Sequence, residues 1–192
     1  TLNSIRWMAT IQHAPGIAEM VTAFARLTKS ISKETQKLVP LQEELALLND
    51  YFTIQQYRYG GDLEIEVSRI EDERLCRDCL IPRFTLQPLV ENSINHGLRD
   101  VEWEKKIWLS VYRENDRICV SVRDNGIGIS PEQTQSILNN DLNGNGLQEH
   151  TTGVGLRNVI GRLRLFYNRD DVMEITSTGS GMGTEVAVFI PV

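Results

Sequence analysis

The sequence is poor in cysteine, in long apolar runs and in positive charge, and each shortage argues against a class of protein. Three cysteines in 192 residues are a small and odd number, which disfavours a disulfide framework and indicates a reducing compartment. No run approaches the roughly 18 apolar residues that span a bilayer, and no signal peptide is visible. The formal net charge of -6 disfavours a general nucleic-acid-binding protein.

The sequence also lacks a second cysteine pair. Cys76 and Cys79 form a lone CxxC, whereas a zinc site would need two such pairs. Cys119 falls within a strand pattern, so we interpret the CxxC spacing as coincidence rather than as metal or redox chemistry. The length of 192 residues suits one ordinary domain plus a smaller element. Because the sequence opens at Thr1 without Met, we expect it to be a fragment.

Residues 1–59 have the hydrophobic spacing of helices, with an interruption at Pro15-Gly16. A third helix is predicted to start at Pro40 and to stop at Gly60-Gly61. Its stripe repeats in steps of four and three residues and consists of Leu41, Leu45, Leu48, Phe52, Gln55 and Tyr59. Such a stripe is typical of a helical bundle. The pattern alone allows packing on the chain's own domain as readily as on a second copy.

Beyond Gly61 the hydrophobic period changes to two, which indicates strands. Strands are predicted at 63–67, 107–111, 118–122, 172–178 and 185–190, with a hairpin loop at Asn115-Asp116. Helices are predicted over 84–97, from the capping sequence Ser130-Pro131-Glu132-Gln133, and from Gly155. Residues 71–83 are predicted to be irregular and 139–146 to be a mobile loop. The order predicts an α+β fold with residues 1–60 helical and residues 61–192 forming the second domain.

Asp124 closes one predicted strand and is followed by two glycines, Gly126 and Gly128. Asn125-Gly126 is a hairpin signal, but a helix start rather than a strand follows it, so no hairpin is predicted here. Asp124 has the phase of the apolar residues of its strand and therefore points toward the apolar side. A carboxylate there needs hydrogen-bond donors, and no Lys or Arg on that face supplies them. We therefore predict a ligand that offers N–H groups, such as adenine.

A second glycine pair, Gly153 and Gly155, lies at a predicted helix start. Free backbone N–H groups and the helix dipole favour a phosphate there, and Arg157 adds a charged contact. The Asn/Gly-rich loop before it suggests a lid that folds over a ligand. Ordinary loop glycines are the alternative interpretation.

The predicted helix over 84–97 carries a polar face. Asn92, Asn95 and His96 are spaced at i, i+3 and i+4, with Glu91 adjacent, opposite the apolar stripe. An Asn can lend its carbonyl oxygen to Mg²⁺ while phosphates complete the octahedron. A solvated polar face is the alternative interpretation.

Taken in order, these motifs resemble the ATP-binding region of sensor histidine kinases, within the GHKL superfamily. "LVENSINHG" (89–97) resembles the N box, "DNGIGI" (124–129) the G1 box, "GVGLRN" (153–158) the G2 box and "GSGMGT" (179–184) the final glycine-Thr element. "TLNSIRWMA" at the start and residues 39–67 resemble the LytS/YesM-type subfamily, so the resemblance spans the whole chain. It implies a two-layer α/β sandwich of the GHKL type, with a mixed sheet of about five strands and helices on one face, preceded by a helical bundle segment.

The resemblance implies roles for individual residues. Asp124 would accept a hydrogen bond from the adenine amine, helped by Thr184 through water. Asn92 would bind Mg²⁺ and, with Glu91 and His96, form the candidate catalytic set. The implied nucleotide-binding residues are Asn92, Asn95, His96, Asp124, Gly126, Gly128, Ile129, Gly153, Val154, Gly155, Leu156, Arg157 and Thr184. Asn95 departs from the pattern, since Lys is often found there. Pro88 stands where hydrolytic relatives have Glu, which fits phosphotransfer to protein better than ATP hydrolysis.

The implied activity is transfer of the γ-phosphoryl of ATP, with Mg²⁺, to a histidine and then to an aspartate of a response regulator. The resemblance to the LytS/YesM-type subfamily implies that the accepting histidine lies upstream of Thr1, in a stretch that runs directly into "TLNSI". His13, at the Pro-Gly break, and His150, in the lid, lie outside that stretch, so this fragment is not expected to phosphorylate itself. The resemblance implies the cytoplasmic part of a bacterial membrane-anchored sensor. It also implies a homodimer formed through the N-terminal helices, with no nucleic-acid partner. The alternatives are a GHKL ATPase that works as a clamp, or a nucleotide-binding module without phosphotransfer.

Overall fold

The chain changes from helices to a sheet near residue 60. A computed structural model describes residues 1–31, 37–71, 73–139, 153–177 and 181–192. The first elements are α1 (Leu2–Ile11), α2 (Pro15–Ile31), β1 (Leu38–Pro40) and α3 (Leu41–Arg58). They are followed by β2 (Leu63–Ile70), α4 (Glu73–Asp78), β3 (Leu80–Pro82), α5 (Gln87–Asn92) with the π-helical turn Ser93–Gly97, β4 (Lys105–Glu114), β5 (Arg117–Asp124), α6 (Pro131–Leu138), α7 (Val154–Tyr167), β6 (Met173–Thr176) and β7 (Glu185–Pro191).

The main sheet of the described residues has five strands in the order β2-β4-β5-β7-β6. β2 and β4 are parallel and the other neighbours are antiparallel, so the predicted mixed sheet is confirmed. Alternate residues of β4, including Ile107 and Leu109, are buried in one core cluster with Leu89 of α5 and Ile160 of α7. The helices thus cover the apolar face that the period of two predicts.

Two local predictions of chain reversal and helix start are confirmed. β4 and β5 form an antiparallel hairpin across Asn115, whose φ is 57°, the left-handed conformation that Asn tolerates. Ser130 caps α6: its hydroxyl accepts from the Gln133 N–H at 3.2 Å, and its own N–H donates to the Gln133 side chain at 3.1 Å. Asn125-Gly126 connects a strand to this helix and makes no hairpin.

The prediction that residues 71–83 are irregular is wrong. They contain α4 and β3, and β3 pairs antiparallel with β1, so that Val39 lies opposite Ile81. Both side chains are fully buried. Each strand has three residues, which is too short for a period of two to stand out among charged neighbours.

The apolar stripe of α3 is buried within the chain. Leu41, Leu48 and Phe52 belong to the same core cluster as the strands of the main sheet, so of the two packing modes that the sequence allowed, α3 adopts the one on its own chain. The boundary between residues 60 and 61 stays a prediction, and contacts of α3, β1 and β3 cross it. In contrast, α1 and α2 expose large apolar side chains, among them Trp7 and Phe24. No helix in the described ranges is long and apolar enough to cross a bilayer.

Candidate functional site

Asp124 ends β5 with its carboxylate enclosed by protein. Asp124 is only 1% exposed to solvent, as the alternation of apolar residues along its strand predicts. Its Oδ1 accepts from the backbone N–H of Gly126 at 2.9 Å and of Thr184 at 3.2 Å, and the Ser93 hydroxyl donates to the same carboxylate. No Lys or Arg is among these donors, which are backbone groups and a hydroxyl from distant motifs that the sequence argument did not consider.

Burial sets the electrostatics of this carboxylate. It raises the pKa of Asp124, because an ionised carboxylate loses hydration, and the hydrogen bonds from Gly126, Ser93 and Thr184 oppose that rise. The carboxylate offers about four acceptor positions, so the three protein donors leave room for one more. A ligand N–H group fits that remaining capacity.

Glycines from three motifs meet around Asp124 at backbone contact. A Cβ at Gly97 would lie 3.0 Å from Asp124 Oδ1. A Cβ at Gly126 would lie 2.8 Å from the Gly97 Cα and closer still to the Gly97 carbonyl, and one at Gly183 would overlap the carbonyl oxygen of Asp124. The Ile127 N–H donates to the Gly97 carbonyl at 2.9 Å. Glycine is needed here because backbone packs on backbone.

A π-helical turn carries part of the polar ridge of the site, which consists of Asn92, Asn95 and His96. The α-helix predicted to reach residue 97 ends at Asn92, and Ser93–Gly97 continue it as a π-turn, a feature that is frequent at functional sites. Asn92 is 9% exposed, Asn95 is exposed and His96 half-buried. The alternative interpretation, a solvated polar face, therefore does not hold for Asn92, and the three residues lie together along the cavities described next.

Two cavities share Asn92, Asn95 and His96. One has a volume of about 250 Å³ and the other of about 130 Å³. The predicted residues that also line the first are Gly128, Ile129 and Thr184. Those that also line the second are Glu91, Gly153, Gly155 and Leu156. The ridge therefore separates a space at the G1 box from a space at the G2 box.

Four of the predicted residues within the described ranges do not line either cavity. Asp124 and Gly126 are enclosed behind the first cavity's lining residues, and Val154 is exposed. The Arg157 guanidinium donates to the Ser136 hydroxyl at 2.9 Å, and its buried Nε has no hydrogen-bond partner in the described structure. The Arg157 side chain thus links α7 to α6 and is not among the residues that line the second cavity.

Sequence reasoning missed Ser93, Gly97 and Gly183 as parts of the site. Ser93 stands within the N-box motif, and its buried hydroxyl has its partner in Asp124, which lies 31 residues further along the chain. Gly97 and Gly183 stand inside the matched motifs, and their closeness to Asp124 depends on contacts between distant segments. The predicted loop beyond residue 139 and His150 lie outside the described residues.

The remaining candidates lie apart from this ridge. Cys76, Cys79 and Cys119 are buried and form no disulfide among the described residues, and in the same part of the chain no three His, Cys, Asp or Glu side chains form a metal cluster. His13 is exposed in the turn between α1 and α2. A larger cavity of about 620 Å³ lies among α1, α2 and α3, beside the Arg26–Asp50 ion pair. It contains none of the motif residues, so its size does not mark it as the site.

Comparison with family models covers both parts of the chain. Residues 1–63 match a model described as histidine kinase. Residues 80–192 match a model described as histidine kinase-, DNA gyrase B- and HSP90-like ATPase.

Individual relatives agree with these matches. The chain is 29% identical to the sensor histidine kinase YesM of Bacillus subtilis over 191 residues, which is 100% of this chain and 30% of YesM. It is 36% identical to the sensor protein LytS of Staphylococcus epidermidis over 155 residues, 80% of this chain and 24% of LytS. The chain thus spans less than a third of these relatives. The histidine kinase domain of a blue-light activated kinase from Erythrobacter litoralis has the same fold at 17% identity, with a TM-score of 0.52 over 92% of this chain and 74% of that one.

Proposed function

Because the chain belongs to the histidine kinase family and carries that family's ATPase domain, we propose that it binds ATP with Mg²⁺ and transfers the γ-phosphoryl to a histidine. The phosphoryl then passes to an aspartate of a response regulator. The observation that carries the proposal is the buried Asp124 carboxylate, held between the N box, the G1 box and Thr184. It lies behind Gly97 and Thr184, which line the first of the two cavities that share Asn92.

The first cavity suits adenine. Asp124 has acceptor capacity left after its protein donors, and the exocyclic amine of adenine is a donor. Ile127 and Ile129 provide apolar surface next to Gly128, which suits a flat ring. Guanine carries a carbonyl in place of that amine, and an ionised Asp124 has no donor for it. Two facing acceptors cost about 1–3 kcal/mol, so guanine nucleotides should bind more weakly.

The second cavity suits the phosphates. Gly153 adopts the left-handed conformation at the N-cap of α7, which leaves backbone N–H groups of the first turn without helical partners. Such a helix start favours an anion. Asn92, lining both spaces, would hold Mg²⁺ through its amide oxygen, and Mg²⁺ would neutralise charge on the transferring phosphoryl. Glu91, Asn95 and His96 surround the same space and would orient the phosphates. For Arg157 to add a charged contact, it would have to leave Ser136.

The helices would supply the partner contacts. The exposed apolar side chains on α1 and α2, such as Trp7, Ile11 and Phe24, would be covered in a homodimer. We place the accepting histidine upstream of Thr1, as the resemblance implies, on a longer protein that is a membrane-anchored sensor. His13 then has no catalytic role.

Calorimetric titration with ATP, ADP and GTP tests the nucleotide site. Asp124→Asn should weaken ATP and ADP binding, because its amide presents an N–H toward the ligand's own N–H. Asp116→Asn, in the exposed β4–β5 loop, is the matched control and should bind as the unmodified chain does. Equal affinity of Asp124→Asn and the unmodified chain, or of GTP and ATP, would refute the assignment of Asp124 to the base.

Labelling with γ-labelled ATP tests phosphotransfer. A chain extended upstream should acquire acid-labile, base-stable phosphate, and replacing the upstream histidine with Gln should abolish it. The 192-residue chain should acquire none. Label on this chain that His13→Gln removes would refute the placement of the acceptor. ATP hydrolysis without histidine phosphate would favour a clamp-type ATPase, and nucleotide binding without either would favour a binding module.

A further inference from the structure

Glu44 is a buried carboxylate on α3, far in sequence from every motif of the nucleotide site. It is 3% exposed. Its oxygens accept from three successive backbone N–H groups: Phe84 at 2.8 Å, Thr85 at 2.9 Å and Leu86 at 3.2 Å. Burial raises the pKa of Glu44, and these hydrogen bonds together with the nearby Arg162 oppose the rise. A carboxylate that accepts three backbone N–H groups holds that backbone in one conformation.

The backbone that Glu44 holds is strained. Phe84 has a φ of 58°, a conformation that is an outlier for a bulky residue and persists only when its surroundings fix it. The backbone N–H and the carbonyl of Phe84 both have partners outside the Phe84–Leu86 turn. Glu44 accepts from its N–H, and Arg162 of α7 donates to its carbonyl at 2.7 Å.

The turn leads directly into the helix that bears the N box. α5 starts at Gln87, and its N-cap residue Leu86 makes no side-chain cap. Glu44 accepts from the N-cap residue Leu86 and from the two residues before it, so a side chain of a different helix fixes the backbone that enters α5. α5 ends at Asn92, and α7, which supplies Arg162, begins after Gly153. The turn thus joins α3 to both helices that line the second cavity.

We propose that Glu44 is a positioning residue of the nucleotide site, which acts through the Phe84–Leu86 turn to fix the α5 helix and with it Asn92. The inference rests on the proposed nucleotide binding and extends it, since it makes α3 part of the machinery that sets nucleotide affinity. A shift of α3 along its axis would move these oxygens away from the turn. Helix α3 would in this way transmit a movement of α1 and α2 to the nucleotide site.

The test compares nucleotide affinity at matched stability in the 192-residue chain. Glu44→Gln keeps the shape of the side chain but turns an amide group toward backbone donors. ATP affinity should fall at least about tenfold, equivalent to about 1.4 kcal/mol. Glu43→Gln, one residue earlier, removes the ion pair to Arg83 but leaves the turn's donors paired, and affinity should stay within about twofold. Leu48→Ala, one turn further along the same buried face of α3, serves as a destabilised control.

The outcomes separate positioning from stability. If Glu44→Gln loses affinity at a temperature where it is as folded as Leu48→Ala, and Leu48→Ala does not, the proposal stands. Equal affinity losses in these two variants, or none in Glu44→Gln, would overturn it. If Glu44→Gln does not fold, Arg162→Gln tests the other side of the turn, and unchanged affinity in that variant would overturn the proposal. A wild-type chain that binds no ATP would instead refute the proposed function, and this inference with it.

Discussion

Replacing Gly126 with Ala should destabilise the fold in the complete absence of nucleotide. The φ of Gly126 does not lie in the left-handed region, so Ala could adopt its backbone conformation. The obstacle is the Gly97 backbone, because the new Cβ would lie 2.8 Å from the Gly97 Cα and overlap its carbonyl. Neither segment is the end of a flexible side chain, so the two must separate.

The magnitude follows from two losses. Overpacking a buried site costs about 1–3 kcal/mol, and separating the segments breaks the bond from the Ile127 N–H to the Gly97 carbonyl, which adds about 1–3 kcal/mol where the groups stay buried. We therefore expect the free energy of unfolding to fall by about 2–6 kcal/mol. For a chain of this size, at about 2–4 °C per kcal/mol, the melting temperature should fall by about 4–24 °C.

Urea unfolding followed by circular dichroism measures this change, and Gly155→Ala is the matched control. Among the described residues, a Cβ at Gly155 would meet the Pro88 Cβ alone, at 3.5 Å, and the position lies in a helix, where Ala is favoured over Gly by about 0.5–1 kcal/mol. The control should be neutral or stabilising. If Gly126→Ala stays within about 0.5 kcal/mol of the unmodified chain, the close approach does not explain the glycine, and ligand contact becomes the better reason for it.

Three further outcomes are expected. Burial raises the pKa of Asp124 above the usual aspartate value of about 3.9, so ATP affinity should fall as the pH is lowered toward that raised pKa, since protonation removes an acceptor; titration isotherms that do not change as the pH is lowered would contradict this. Ser130→Ala removes the α6 cap and should lower the free energy of unfolding by about 1 kcal/mol in thermal denaturation, and an unchanged midpoint would contradict the capping role. Burial raises the pKa of Cys79 to about 11, and Cys76 and Cys119 are buried too. A thiol reagent should therefore label the native chain slowly and the urea-unfolded chain fast, and fast native labelling would show that a thiol is accessible.

Local patterns in the sequence were sufficient to predict burial, caps and turns wherever these depend on a residue's own strand or helix. The phase of β5 predicted that Asp124 is buried, and it is. The Ser130–Gln133 capping box and the Asn115 hairpin were equally readable, because each depends on residues two to four apart.

The parts that could not be predicted depend on contacts between distant segments. The donors to Asp124 include Thr184, which is 60 residues away, and periodicity describes which face is buried but not what covers it. For the same reason, the stripe of α3 indicated a packed helix without indicating that Leu48 packs in the core of the sheet. β1 and β3 were missed because each is stable only when paired with the other.

The pairing of Val39 with Ile81 has a consequence for exchanging parts between sensor proteins. A fusion that moves the ATPase part to another receptor, designed from the start of the ATPase family match, would be cut at residue 80. A graft cut there would receive a foreign sequence in place of β1 and α3, and its own strand β3 would meet an unmatched partner. A graft that begins before Lys37 carries both strands together and keeps the Arg83 N–H bonded to the Lys37 carbonyl at 3.1 Å. The transplantable unit is therefore longer than the segment that matches the ATPase family model.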